Sequence, residues 1–357
     1  MVQGIGNPVE ALLEESCASG EIPGAAWVFG RRDGVAGVGA CGFAIVNPER
    51  RRMTVDTVFD LASVTKCVAT ATGAMILIER GRMRLDDGVK EFVPEFGAAG
   101  KESVTIRHLL THTSGLPAWA DLYLHASSPA DMIARICRMP LEYEPGSRVV
   151  YSCLGFIVLG EVVSRVAGQS LDAFVRAEVF APLGMSDTCF NPPEGMRTRI
   201  AATEHCKWRG RVLIGEVHDE NAFAMGGVSG NAGLFSTVRD LAVFCRMFLG
   251  EGSLGGVRVL SPAAVRAMTR DYTGHRLGES RGLGWVVRGE GALSSAGDLM
   301  SARAYGHTGF TGTSVWIDPE LDVFAVLLTN RVHFGRSCEA HIKLRPRFHN
   351  AVVGLLC

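Results

Sequence analysis

Residues 63–81 read SVTKCVATATGAMILIERG, a stretch that predicts a helix and carries a candidate nucleophile. It contains no proline, is rich in Ala, Met, Ile and Leu, and ends at Gly81, a residue type that commonly ends helices. The pattern predicts a helix over residues 64–80 with Ser63 at its start. Residues three apart face the same side of a helix, so the amine of Lys66 can approach the hydroxyl of Ser63.

A serine hydroxyl becomes a good nucleophile only when a neighbouring base removes its proton. Lysine can be that base if burial or a nearby positive charge lowers its pKa, and the apolar residues 67–69 after Lys66 are compatible with burial. Taken alone, however, S-x-x-K also describes a helix-capping serine followed by a surface lysine, which is the commoner arrangement. Further motifs must therefore decide.

A second motif is Tyr151-Ser152-Cys153, which directly precedes a helix predicted to end before Gly168. A tyrosine close to a lysine can lose its proton and relay it to a leaving group. In isolation, a buried structural tyrosine with a satisfied hydroxyl explains the pattern equally well.

The third motif, His307-Thr308-Gly309, lies in a predicted strand and is followed by Phe310. A glycine at a strand edge lets a substrate approach the backbone, whose N–H groups can then bind a carbonyl oxygen as it becomes negative. A single histidine in a strand is more often structural, but its position after the other two motifs favours a functional role.

In this order the motifs match S-x-x-K, an S/Y-x-N type and K/H-T-G. The chain thereby resembles the β-lactamase-like serine hydrolases, which include class C β-lactamases, DD-carboxypeptidases and esterases related to penicillin-binding proteins. The resemblance covers roughly residues 20–350 and includes four further strings: LLTHTSGLP at 109–117, EPG at 144–146, APLGM at 181–185 and GGVSGNAGLFST at 226–237. His112 and Ser114 in the first string are interpreted as parts of a structural turn.

The resemblance implies that Ser63 attacks a carbonyl and becomes acylated while Lys66 and Tyr151 share the proton transfers. The acyl group then passes to water. The backbone N–H groups of Ser63 and Phe310 would form the oxyanion hole. The catalytic residues predicted in this way are Ser63, Lys66 and Tyr151.

The same resemblance implies that Cys153, His307, Thr308, Gly309 and Phe310 bind the substrate. Two of these residues depart from the common pattern. His307 replaces a lysine and is only partly charged near neutral pH, so it would hold a β-lactam carboxylate less firmly. Cys153 stands where many members have an asparagine, and a thiol is a weak hydrogen-bonding group.

These departures favour an esterase or a D-amino-acid-directed peptidase, with a small ester, amide or peptide as substrate. Efficient β-lactamase activity is disfavoured but remains an alternative. Another is a penicillin-binding sensor that is acylated without efficient turnover. A structural protein without activity is a third, and the intact Ser63, Lys66 and Tyr151 argue against it.

Strands are predicted near both ends of the chain, over residues 25–30, 35–46, 283–288, 305–308, 313–318 and 323–329. Predicted helices lie between them, including one over 153–167 and one that Thr237 caps and that runs to Leu249. This order indicates an α/β (α+β) fold of the β-lactamase/transpeptidase type, with an antiparallel sheet flanked by helices and an inserted helical lobe. We expect residues 1–70 and 225–357 to form the α/β lobe and residues 71–224 the mainly helical lobe. A cleft between lobes is the usual place for an active site.

Charge and composition exclude some classes of partner. The 36 basic and 37 acidic residues give a formal net charge of −1, so no strong field attracts nucleic acid. No apolar run reaches the roughly 20 residues that span a bilayer. The ten cysteines include no C-x-x-C pair, and the first residues do not resemble a signal peptide. We therefore expect a cytoplasmic protein with reduced, mostly buried cysteines; the alternative is a periplasmic or secreted protein whose leader has been removed.

Neither a cofactor nor a metal is expected. His205-Cys206 and His218-Asp219-Glu220 contain metal-binding residue types, but their spacing matches no known site and favours a surface loop. The glycines of 226–233 lack a following G-K-[ST] and are interpreted as a structural loop near the cleft rather than a phosphate-binding loop. The oligomeric state cannot be derived from the sequence.

Overall fold

The structure is a computed structural model that describes residues 7–274, 277, 279–290 and 294–357. Its α-helices are α1 (Pro8–Ala18), α2 (Thr72–Glu79), α3 (Val89–Phe92), α4 (Ile106–Leu110), α5 (Pro129–Arg138), α6 (Cys153–Ala167), α7 (Leu171–Val175), α8 (Glu220–Ala224), α9 (Val238–Leu249), α10 (Pro262–Thr269) and α11 (Ala340–Leu356). Its strands are β1 (Gly24–Arg31), β2 (Gly34–Ile45), β3 (Arg51–Arg52), β4 (Phe59–Asp60), β5 (Cys189–Phe190), β6 (His205–Cys206), β7 (Arg211–Val212), β8 (Leu234–Ser236), β9 (Ser253–Leu254), β10 (Val257–Arg258), β11 (Val286–Val287), β12 (Tyr305–Thr308), β13 (Ser314–Asp318) and β14 (Val323–Thr329).

The central sheet has seven strands in the described part of the chain, in the order β11-β12-β13-β14-β1-β2-β3, and every neighbouring pair is antiparallel. Strands from the two ends of the chain meet where β1 pairs with β14. The predicted mixed fold with an antiparallel sheet is therefore confirmed. The boundaries of the two predicted lobes remain a prediction.

Alternate residues of β1 face opposite sides of the sheet, as the pleat of a strand requires. Trp27 and Phe29 pack in the core formed with α1 and α11, whereas Ala26 and Val28 belong to the larger core that includes α9 and the helices of the middle of the chain. The sheet is thus covered on both faces, which is why β1 reads as a continuous apolar run.

The helix predicted after Ser63 is present but not uniform. A 3-10 turn spans Ala62–Val64, a π-helical stretch spans Lys66–Ala71, and α2 follows. π-Helical stretches are rare and occur often at functional sites. Over Ala62–Glu79 the chain is long and apolar enough to cross a membrane, but 83% of this segment is buried in the protein. The bent pair Cys153–Ala167 and Leu171–Phe180 passes the same test only when it is counted as one span.

Two local predictions need correction. The strand predicted over 283–288 is reduced to β11, because the N–H groups of Leu283 and Gly284 bond to carbonyls outside the sheet and Gly284 has a φ of +80°. Only four cysteines are buried, whereas five are half-buried and Cys357 is exposed.

Candidate active site

Ser63 and Lys66 lie side by side at the start of the buried helical segment. The Nζ atom of Lys66 is 3.2 Å from Oγ of Ser63 and within hydrogen-bond distance of it. Lys66 is fully buried, which excludes the interpretation as a surface lysine, whereas Ser63 lines two cavities. A hydroxyl that faces a cavity and contacts a buried amine is well placed to be a nucleophile.

Two further groups contact the amine of Lys66. Its Nζ atom lies 2.9 Å from the backbone oxygen of Asn231 and 3.5 Å from Sγ of Cys153. Burial lowers the pKa of Lys66, but the interactions with Cys153 and Tyr151 outweigh burial and place the pKa above its ordinary value. The lowered pKa expected from burial alone is therefore not found, and Lys66 is an ammonium group in the resting site at neutral pH.

Tyr151 lies close to the same amine, with Nζ of Lys66 4.9 Å from its ring centroid. Its hydroxyl is buried and has no hydrogen-bond partner within the described residues. Burial raises the pKa of Tyr151; Lys66 and Ser63 act in the opposite direction without cancelling it. A buried hydroxyl without a partner is unusual and indicates a group that can bind a ligand or a water molecule.

The turn at 109–117 holds Tyr151 in place through hydrogen bonds to the next residue, Ser152. The N–H of Ser152 donates to Nδ1 of His112 at 3.0 Å, and the hydroxyl of Ser152 donates to the carbonyl of Pro117 at 2.7 Å. Burial keeps the pKa of His112 well below its ordinary value, so the ring is neutral and Nδ1 can accept this hydrogen bond. His112 has a φ of +59°, and its ring centroid lies 4.5 Å from that of Tyr151.

His307, the first residue of the third motif, is buried in β12 and lines the larger cavity at Ser63. Its Nδ1 lies 2.8 Å from the carbonyl of Thr308, to which it donates, and its Nε2 has no partner within the described residues. Burial, and next Arg281, lower the pKa of His307 well below its ordinary value. His307 is therefore neutral and offers an acceptor rather than a positive charge.

Gly309 brings the end of β12 against the segment that precedes Ser63. A Cβ atom at Gly309 would lie 2.1 Å from Oγ1 of Thr313 and 2.4 Å from the carbonyl oxygen of Leu61. The glycine therefore allows close contact between two parts of the protein. Phe310 follows with 47% of its surface exposed and lines the cavities on both sides of Ser63. The oxyanion role of its N–H remains a prediction.

Two cavities meet at Ser63 and Tyr151. The larger, of about 420 Å³, extends along β12 and is lined by Arg281, His307, Thr308, Arg331, His341 and Arg345, among others. The smaller, of about 220 Å³, lies on the side of Cys153 and is lined by Trp119, Asp219, Glu220, Ala232 and Arg336, among others. These two cavities form one crevice. Seven of the predicted catalytic and substrate-binding residues line it: Ser63, Tyr151, Cys153, His307, Thr308, Gly309 and Phe310.

No sequence motif pointed to the arginines in the larger cavity. Arg281 is 4% exposed; its Nε donates to Glu279 at 2.9 Å, and its Nη1 is buried without a partner within the described residues. Arg345 donates from Nη2 to the carbonyl of Gly309 at 2.7 Å, and burial lowers its pKa to about 9, so it remains a cation at neutral pH. The burial of a single arginine cannot be recognised in a sequence, so these arginines are identified only from the fold.

The segment 218–220 is not the surface loop that its spacing favoured. His218 is buried, its ring stacks on that of Phe310 with centroids 5.6 Å apart, and Asp219 and Glu220 line the smaller cavity. Burial raises the pKa of Asp219. Across the residues that the structure describes, no group of three or more His, Cys, Asp or Glu side chains could hold a metal ion.

The fold is that of the β-lactamase-type serine hydrolases. The family model Beta-lactamase matches residues 9–345, and the chain belongs to that family. The predicted family resemblance is confirmed.

Curated relatives carry a more specific name. The "Putative D-alanyl-D-alanine carboxypeptidase" of Escherichia coli (strain K12) is 36% identical over 310 residues, which cover 79% of this chain and 71% of the relative. The protein of that name from Salmonella schwarzengrund (strain CVM19633) is 36% identical over 335 residues, covering 85% and 75%.

Solved structures share the fold over nearly the whole chain. "EstCE1, a hydrolase with promiscuous acyltransferase activity" has a TM-score of 0.77 at 24% identity and covers 96% of this chain and 97% of its own. A penicillin-binding protein homolog from Caulobacter crescentus has a TM-score of 0.76 at 24% identity, with 96% of both chains covered. At this identity the likeness shows the fold alone.

Proposed function

We propose that the protein is a serine hydrolase that forms an acyl-enzyme on Ser63 and acts as a D-amino-acid-directed carboxypeptidase. The observation that carries the proposal is Arg281, a buried residue that lines the same cavity as Ser63 and whose Nη1 has no partner within the described residues. A free guanidinium N–H in a cavity wall is suited to a carboxylate. A peptide whose leaving group is a free amino acid carries this carboxylate.

The leaving group would lie along β12. Arg281, which is also paired with Glu279, supplies a guanidinium; Thr308 supplies a hydroxyl; and neutral His307 supplies an acceptor at Nε2 for the peptide N–H or for water. Arg345 adds a second positive charge at the far side of Gly309. The positive charge that the third motif lacks at His307 is therefore provided by two arginines from other parts of the chain.

Ser63 would attack the carbonyl after one proton has left the pair formed by Lys66 and Tyr151. Both pKa values lie above their ordinary values, so the pair is fully protonated in the resting site at neutral pH. Loss of one proton yields either an amine or a phenolate beside Ser63, and either can accept the serine proton. Tyr151 then returns a proton to the leaving amine, and the same groups activate water for deacylation.

The names of the relatives support the choice of substrate, because the E. coli and Salmonella proteins are named as D-alanyl-D-alanine carboxypeptidases. An esterase is the second candidate. It is favoured by the neutral state of His307, which leaves the third motif itself without a charge, and by the exposed aromatic rings of Trp119 and Phe310 beside the smaller cavity.

A substrate panel tests the proposal. It contains peptides ending in D-Ala-D-Ala, D-amino-acid amides, short aryl esters and a chromogenic cephalosporin, each assayed with the wild type and with Ser63→Ala. We expect turnover of the D-Ala-D-Ala peptides, slower turnover of the esters, and no activity in the variant. Turnover of esters alone would select the esterase, whereas a single stoichiometric burst with the cephalosporin and no turnover would select the sensor. Equal rates for both proteins would exclude Ser63 as the nucleophile.

A further inference from the structure

The amine of Lys66 depends on a contact that none of the three motifs supplies. An ammonium group has three donors, and the strongest acceptor beside it is the backbone carbonyl of Asn231 at 2.9 Å. The other neighbours are the hydroxyl of Ser63 at 3.2 Å and the thiol of Cys153 at 3.5 Å, and a thiol accepts weakly. The position of the Asn231 carbonyl therefore largely determines where the amine lies relative to Ser63.

Asn231 belongs to the glycine-rich segment 226–233, and its side chain anchors it there. The residue is fully buried; its Nδ2 donates to Oδ2 of Asp219 at 3.1 Å, and its Oδ1 accepts from the hydroxyl of Ser229 at 2.7 Å. Asp219 is itself fixed, because its Oδ1 accepts from the N–H of Ala222 in the first turn of α8 at 2.7 Å. A continuous set of hydrogen bonds thus leads from α8 to the amine.

We propose that Asp219 is a positioning residue for Lys66, which it places beside Ser63 by holding Asn231. The proposal rests on the proposed serine hydrolase function. Asp219 faces the smaller cavity, but its two carboxylate oxygens are occupied by Ala222 and Asn231. It therefore acts through Asn231 rather than on the reacting atoms.

The charge of Asp219 adds a measurable consequence. The titratable groups that face Lys66 are Tyr151 and Cys153 from the side of α6 and Asp219 from the side of α8, with His112 and His307 further away. Asp219 also raises the pKa of Lys66, but by less than Cys153 and Tyr151 do. Replacing the carboxylate with an amide should therefore lower the pKa of Lys66, whereas a purely structural defect would leave that pKa unchanged.

The test compares the pH profile of kcat/KM, with an activated aryl ester, for three variants. Asp219→Asn can still accept from Ala222, but its amide then faces the amide of Asn231 donor to donor. We expect the maximal kcat/KM of Asp219→Asn to fall about tenfold or more, as for loss of a hydrogen bond to a charged group. We also expect the acidic limb of its pH profile, where activity is lost as Lys66 is protonated, to move to lower pH. Asn231→Ala breaks the same link but keeps the carboxylate, so its plateau should fall while its limb stays in place.

Asp240→Asn is the matched control. Asp240 is a buried carboxylate that accepts from the N–H of Asp187 and the hydroxyl of Thr188, and none of these residues lines the cavities at Ser63. For Asp240→Asn, the maximal kcat/KM and the position of the acidic limb should equal those of the wild type. This should hold even if thermal unfolding shows a loss of stability similar to that of Asp219→Asn.

The outcomes separate the two proposals. If the wild type is active through Ser63 but Asp219→Asn and Asn231→Ala behave like the control, the positioning role is wrong and the hydrolase function stands. If Asp219→Asn fails to fold, Asn231→Ala alone decides, because an unchanged plateau there contradicts the link. If Ser63→Ala is as active as the wild type, the hydrolase function fails first.

Discussion

The guanidinium of Arg281 lies against the ring of Tyr151, with its central carbon 5.4 Å from the ring centroid. A cation over an aromatic face is held by the ring electrons. This contact joins the positively charged end of the larger cavity to the proposed proton-relay residue. A carboxylate bound by Arg281 would therefore lie directly beside the groups that act on the scissile bond.

Replacing Arg281 with alanine should weaken binding of substrates that end in a free carboxylate. We expect KM for such a peptide to rise about 10-fold to 100-fold, the loss of one charged hydrogen-bonding partner, while the same peptide with an amidated C-terminus changes little. Steady-state kinetics on this substrate pair provides the measurement. A parallel loss for both peptides would show that Arg281 has a structural role only.

Removing the hydroxyl of Tyr151 should slow catalysis without weakening the fold. Tyr151→Phe keeps the ring against His112 and deletes a buried oxygen that has no partner within the described residues. We expect kcat to fall by roughly 10²–10⁴, the usual contribution of a positioned acid or base, and the free energy of unfolding to be unchanged or higher. Normal turnover by this variant would remove Tyr151 from the proton pathway.

Activity should increase as the pH rises above neutral. Lys66 and Tyr151 both have raised pKa values, and the active form is the one that has lost a proton from this pair. A base with a raised pKa is protonated over more of the pH range, so activity is lost as the pH falls and gained as it rises. The pH profile of kcat/KM for an uncharged ester checks this. A flat profile from mildly acidic to alkaline pH would contradict it.

The glycine-rich segment should tolerate no side chain at Gly230. A Cβ atom there would lie 2.0 Å from the carbonyl oxygen of Phe156 and 2.9 Å from Cα of Gly160. We expect Gly230→Ala to lower the free energy of unfolding by about 1–3 kcal/mol, as overpacking does. Gly195→Ala is the control, because a Cβ atom at Gly195 meets nothing within 4 Å. Urea unfolding of both variants compares them, and equal stabilities would contradict the close packing.

Local patterns were enough to predict much of the fold. Apolar runs and capping residues located β1, α6 and α9 because these elements are determined by neighbouring residues: Ser152 and Thr237 cap their helices as their positions suggest. The strand predicted over 283–288 failed because its backbone bonds to Met268 and Leu110, which are distant in sequence. No pattern within a few residues records such a partner.

Site residues, like the helices and strands, could be predicted only where nearby residues in the sequence determine their position. Ser63 and Lys66 could be paired from the sequence because they are three residues apart on one helix. Arg281, which lines the larger cavity, and Asn231, whose carbonyl contacts Lys66, could not be predicted, since they come from separate segments and single residues carry no spacing signal. Asp219 was visible as part of a His-Asp-Glu string but was misinterpreted, because burial is a property of the folded chain.

We expect the hydroxyl of Ser63 to become covalently acylated. The most direct measurement is mass spectrometry of the intact protein after brief exposure to a fluorophosphonate or a fluorescent penicillin, followed by peptide mapping. We predict one adduct per chain, located on Ser63 and missing in Ser63→Ala. An adduct on another residue, or equal labelling of the alanine variant, would contradict the account.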